Sequence, residues 1–123
     1  MVVDTSIILA IFFDETQSQW AATQLNQYAS ELRMSTVNLT EVLIRVEDKQ
    51  PQLFAQLRER LMTSSIRFVP PDIEQAKLAA KARIQFPINL GDCFSYALAK
   101  KEKCSILTLD ADFRKVDCPI LMP

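Results

Sequence analysis

Histidine is absent from the 123 residues, and that absence removes more chemistry than any other feature of the composition. Without imidazole there is no Ser-His-Asp or Cys-His catalysis and no His-ligated metal site. Glycine occurs once, at Gly91, which excludes the glycine-rich loops that cradle nucleotide phosphates. The three cysteines, Cys93, Cys104 and Cys118, contain no CxxC pair. They read as buried, reduced thiols rather than a zinc site or a disulfide framework. The longest apolar run, Ile7 to Phe13, is far too short to span a bilayer, and no basic segment precedes it as in a signal peptide. A cytoplasmic protein with no membrane role is expected. Any chemistry in this chain must be carried by carboxylates.

What remains is a globular composition. Nearly half the residues are apolar and the formal net charge is −1, so one domain spanning residues 1–123 with a single core is expected. The charge balance gives no overall pull toward a polyanion, and only local basic patches could meet one.

Short apolar runs alternate with helical patterns along the chain. Met1 to Asp4 reads as a buried strand, with Thr5 and Ser6 placed to cap a short helix Ile7–Phe13. A helix is expected over Glu15–Leu32 and a weak strand over Arg33–Thr36. Asn38 is expected to cap a helix carrying Leu39, Val42, Leu43 and Val46 on one face. Pro51 suits the first turn of the next helix, which turns Phe54, Leu57 and Leu61 inward. A strand at Ile66–Val69 stops at two prolines. Asp72 then starts a helix with Ile73, Ala76 and Ala80 as its stripe, ending before Pro87. A nearly all-apolar helix opens at Asp92, followed by strands Ser105–Leu109 and Pro119–Met122. Alternation of this kind specifies an α/β fold with a parallel sheet covered by helices on both faces.

In such sheets ligands gather beyond the carboxyl ends of the strands, and the acidic residues fall there. Asp4 ends the first strand, Glu41 lies in the first turn after the second, Asp92 opens its helix, and Asp110 and Asp112 follow Leu109. Each has a plainer explanation. Asp92 would complement a helix N-terminus, Asn38 and Glu41 have capping-box spacing, and Asp110 or Asp112 would form a turn. Asp4 is the hardest to explain away, because a carboxylate straight after Val2-Val3 is costly to bury unless paired or metal-bound. Several carboxylates on one rim repel unless protons or a cation relieve them. With no histidine or thiolate cluster, that cation would be a hard one, Mg²⁺ or Mn²⁺. The Ser6 and Thr108 hydroxyls could orient its waters, or act only as caps.

The segments Val2-Val3-Asp4-Thr5-Ser6, Asn38-Leu39-Thr40-Glu41, Gly91 to Ala99 and Leu107 to Phe113 occur in that order. Together they resemble PIN-domain ribonucleases, in particular VapC-type toxins of toxin–antitoxin systems, over essentially the whole chain. The resemblance implies a three-layer α/β/α sandwich around a mainly parallel sheet, with an acidic pocket that holds Mg²⁺ or Mn²⁺ and cleaves RNA. It implies catalytic and metal-binding roles for Asp4, Glu41, Asp92 and Asp110, with Asp112 sharing or replacing the role of Asp110. It further implies a homodimer silenced by a cognate antitoxin protein. For RNA binding the basic candidates are Arg45, the group Lys100, Lys101 and Lys103, and the pair Arg114 and Lys115, each of which also reads as an ordinary solvated face.

Two other phosphoryl-handling classes fit less well. A haloacid-dehalogenase-like phosphatase needs a second Asp two residues after Asp4, where this chain has Ser6. A response-regulator receiver needs an acidic pair near the first strand and a lysine after a late one. The non-enzymatic alternative is a PIN-like module that binds RNA or protein without cutting. The full acid set speaks against it, since a module that cuts nothing has no use for that repulsion.

Overall fold

The computed structural model describes residues 1–123. Its five strands are β1 (Val2–Val3), β2 (Arg33–Ser35), β3 (Arg67–Val69), β4 (Ile106–Leu107) and β5 (Ile120–Leu121). They form one sheet in the order β3-β2-β1-β4-β5, and every neighbouring pair is parallel. The six helices are α1 (Thr5–Phe12), α2 (Ser18–Gln27), α3 (Thr36–Lys49), α4 (Phe54–Met62), α5 (Ile73–Gln85) and α6 (Leu90–Glu102).

Strand alternation divides the apolar residues between two cores. Val3 and Leu107 face one cluster with Ile7, Met34, Val42 and Leu61, built from α1 to α4. Val2 and Ile106, one residue away, face a second cluster with Ala79, Leu98 and Phe113, built from α5, α6 and the turn after β4. The result is a three-layer α/β/α sandwich. Buried on both faces, β1 has no exposed polar side, which explains its unbroken apolar sequence.

Several local boundaries differ from expectation, and most of the differences bear on the site. The first strand stops at Val3, and Asp4 itself caps α1, its carboxylate accepting from the Ser6 N–H. Ser35, not Asn38, caps α3 through the Val37 N–H, so Asn38 lies inside the helix and fully buried. The capping box expected for Asn38 and Glu41 belongs to Asn89 and Asp92, which cap α6 reciprocally. Asp92 is therefore the third residue of α6 rather than its opening. The expected helix over Glu15–Leu32 breaks into α2 and a short 3₁₀ turn at Ala29–Glu31. On α5 the buried face is Gln75, Ala79 and Ala82, while Ile73, Ala76 and Ala80 face solvent. The two alanines fit either side, so the apolar pattern leaves the phase of the helix open. All three cysteines are free, but only Cys93 is fully buried.

Candidate active site

The site forms at the carboxyl end of β1, where the chain has a neighbouring strand on either side. Register places Val3 beside Leu107, and the Asp4 N–H donates to the Leu107 carbonyl at 3.0 Å. The residues one step further on, Asp4 and Thr108, therefore meet. Asp4 Oδ2 accepts from Thr108 Oγ1 at 2.9 Å and from Ser6 Oγ at 2.7 Å. On the other carboxylate oxygen, Ser95 Oγ from α6 reaches Asp4 Oδ1 at 3.4 Å. Asp4 is 2% exposed. Burial raises its pKa, outweighing the hydrogen bonds from Ser6 and Thr108 that favour the anion.

Glu41 projects from α3 toward α6. Its Oε1 accepts from Thr5 Oγ1 and from Asn38 Nδ2, both at 2.9 Å. Asn38 in turn donates to the Gly91 carbonyl at 3.0 Å and accepts from Ser95 Oγ at 3.0 Å. One buried amide thus ties together α1, α3 and α6 around the acids. Gly91 leaves room for that carboxylate: a Cβ there would run into Glu41 Oε2. The single glycine of the chain stands where the Glu41 carboxylate meets the α6 backbone.

Asp92 is buried, and its Oδ2 accepts from the Asn89 N–H at 3.3 Å. Burial foremost, and then the charges of Asp4, Asp110 and Glu41, push its pKa up to about 7, against the pull of the Asn89 hydrogen bond. Asp110 is half-buried. Its Oδ1 accepts from the Asp112 N–H at 2.9 Å, capping the 3₁₀ turn Ala111–Lys115, and its N–H donates to Thr108 Oγ1.

These four acids share a cleft of about 200 Å³, which Thr5, Ser6, Leu9, Arg45 and Asn89 also line. Two expected contributors stand outside its lining. Thr108 is fully buried and acts on the cleft through Asp4 and Ser6, its hydroxyl 3.3 Å from Ser6 Oγ. Asp112 is exposed and contributes its backbone to Asp110, so position favours Asp110 over Asp112 as the fourth acid. Asn38, Thr5, Gly91 and Ser95 have no site role in the sequence reading beyond capping, although all four lie in the segments that carry the family resemblance.

The donors are all carboxylate and hydroxyl oxygens, a set suited to a hard divalent cation. No three acidic groups stand close enough together to enclose an ion by themselves. An ion here would be held by one or two of the carboxylates together with its own waters. Burial above all, and the neighbouring carboxylates after it, raise the pKa values of Asp4 and Asp92, and a bound cation would favour both anions.

The remaining basic candidates do not face the cleft. Lys100 pairs with Asp117 at 3.7 Å, and Lys101 pairs with Asp72 and Glu74, all toward the far end of α6. Lys103, Arg114 and Lys115 are exposed and stand outside the cleft lining.

A central parallel sheet with an acidic cleft at the end of its first strand is an α/β arrangement suited to phosphoryl chemistry, and the PIN domain family model matches residues 1–118. The chain belongs to the PIN-domain family, within its VapC branch. It is 31% identical over 126 residues to a VapC ribonuclease of Mycobacterium bovis, covering 95% of each chain. It is 32% identical over 125 residues to a ribonuclease VapC of Mycolicibacterium smegmatis, covering 95% of this chain and 96% of the relative. Among solved structures it superposes on the VapC20 toxin of Mycobacterium tuberculosis, described as sarcin-ricin loop cleaving. That match has a TM-score of 0.84 at 15% identity and covers 99% of this chain and 98% of the other. A VapBC complex of Rickettsia felis bound to promoter DNA gives 0.81 at 12% identity, covering 98% and 96%.

Proposed function

We propose that residues 1–123 act as one PIN unit that hydrolyses RNA phosphodiester bonds, and that the protein is the toxin of a toxin–antitoxin pair. The observation carrying this reading is the crowding of Asp4, Glu41, Asp92 and Asp110 on one cleft, with Asp92 pushed to about 7. The VapC ribonucleases it resembles along its length support the same activity. Bound among these acids, Mg²⁺ or Mn²⁺ would lower the pKa of a water and offset charge building on the phosphate.

The chain's own contribution is placement. Ser6, Thr108 and Ser95 fix the Asp4 carboxylate. Thr5 and Asn38 hold one oxygen of Glu41 and leave the other free. Asp92 gives up its proton near neutrality, where the cleft gains charge for a cation. The toxin reading brings a cognate antitoxin, and structural neighbours solved as VapBC complexes support such a partner. A homodimer and a cytoplasmic location complete the proposal. No helix is long and apolar enough to cross a membrane.

The test is cleavage of total RNA by purified protein with Mn²⁺, with EDTA, and with Asp92→Asn. Discrete fragments that vanish under both EDTA and the substitution are expected. Folded, metal-loaded parent that leaves every RNA intact, or Asp92→Asn that cuts as fast as the parent, would sink the reading. The first of these outcomes would favour a binding module.

A further inference from the structure

Arg45 lies one turn after Glu41 on α3, at the spacing and in the order that favour a helical ion pair. No such pair forms. The Glu41 carboxylate is drawn inward by Thr5 and Asn38, and Arg45, exposed at the surface, makes no ion pair at all. The guanidinium is the only cation lining the acidic cleft. A second cleft of about 280 Å³ adjoins the first and shares Thr5, Glu41 and Arg45 with it, and its remaining lining residue is Ile44. Ile44 is 60% exposed, although a large aliphatic side chain on a helix gains nothing from solvent.

We propose that this second cleft is a subsite for the nucleotide next to the scissile bond in an unpaired RNA segment. Arg45 holds the phosphate and Ile44 packs against the face of the base. The proposal rests on the ribonuclease reading for what lies in the first cleft. Its logic is electrostatic. Four carboxylates repel the backbone they are to cleave, and a cation held among them would be taken up by the reacting phosphate. The unpaired Arg45 guanidinium beside the acids is the one cationic group in either lining, and its planar fork suits two oxygens of the neighbouring phosphate. The volume, just below the range of drug-sized ligand pockets, leaves room for a single nucleotide and no more. An unpaired strand can splay a base onto an apolar side chain, whereas a duplex keeps its bases stacked inside.

The experiment measures binding of a short fluorescent unpaired RNA by anisotropy, with Ca²⁺ supplying the divalent charge, alongside cleavage of total RNA with Mn²⁺. Arg45→Ala is expected to weaken binding about tenfold and to reduce the slope of log affinity against log salt by about 0.7, one phosphate contact on a single strand. Arg45→Lys should keep the slope and recover part of the affinity. Ile44→Ser should weaken binding with the slope unchanged, and a duplex RNA should compete poorly. Placing a neutral methylphosphonate at the flanking position should weaken the parent but add nothing to Arg45→Ala. Parent-like affinity and slope in folded Arg45→Ala would overturn the subsite, as would equal competition by duplex or a parent that binds no RNA. If the substitutions behave as expected but the parent cuts nothing, an RNA-binding site remains but flanks no scissile bond, and the ribonuclease reading falls together with the subsite defined on it. If the parent cuts and Arg45→Ala binds and cuts identically, the subsite alone falls.

Discussion

Single residues decide whether the acids are placed or merely present. Gly91 is the clearest case, because a methyl group there meets only the far end of a flexible side chain, the Glu41 carboxylate. The fold can yield and the site cannot. Gly91→Ala should therefore keep its circular dichroism spectrum and most of its thermal stability while Glu41 swings away. We expect at least tenfold loss of RNA cleavage and weaker Mn²⁺ binding by calorimetry, and an unchanged titration would show that Glu41 needs no such room. Asn38 belongs to the same scale. From sequence it looked like a helix cap, since Asn-x-x-Glu before an apolar stripe fits a capping box. The structure puts Ser35 in that role and turns Asn38 into the buried clamp between Glu41, Gly91 and Ser95. Local spacing cannot distinguish the two, because the deciding partner, Gly91, is remote in sequence.

At the level of elements, α5 shows what pattern alone leaves open. Its alanines occur on every side, and the buried face includes Gln75, 1% exposed, whose Oε1 has no hydrogen-bond partner. An unpaired buried acceptor costs about 1–3 kcal/mol. Gln75→Met keeps the length and removes the unpaired group, so it should raise Tm by a few degrees without touching cleavage. A fall in Tm in differential scanning calorimetry would mean that the amide is satisfied after all. The strands were easier to read. Val2-Val3 and Ile106-Leu107 are unbroken apolar pairs because both faces of the central strands are covered. The acids fall at strand ends and helix starts in the sequence, each with a plainer explanation of its own, and Asp4, Glu41, Asp92 and Asp110 line one cleft. What sequence could not supply was their scaffolding, the hydroxyls of Thr5 and Ser95, which depends on how α1, α3 and α6 lean together.

For the whole molecule, the acid cleft sets a pH dependence. Asp92 has a pKa of about 7 in the folded chain and about 3.9 when unfolded, so the native state binds the extra proton between those values. Stability of the metal-free protein should consequently fall as pH rises from about 4 to 7, and then level off as far as this group is concerned. Asp4, also raised, acts in the same direction. Adding Mg²⁺ or Mn²⁺ should reverse the trend, raising Tm more at pH 8 than at pH 5, because the cation competes with the proton. Thermal melts in EDTA and in Mn²⁺ across that range check both signs. A metal-free Tm that climbs from pH 5 to 7 would place the proton elsewhere.

The strand order β3-β2-β1-β4-β5 also bears on how the chain is made. Synthesis runs from the N-terminus, and a nascent chain can begin to fold as it emerges. Through α5 it can assemble β3, β2 and β1 with Asp4 and Glu41 already in place, yet one side of β1 stays open. Asp92 arrives later, and Thr108 and Asp110 come only with β4. Until β4 has emerged, a ribosome making this protein therefore works beside an incomplete acid set. An enzyme that cuts RNA would be assembled only after most of its sheet and helices have left the RNA machine that builds it.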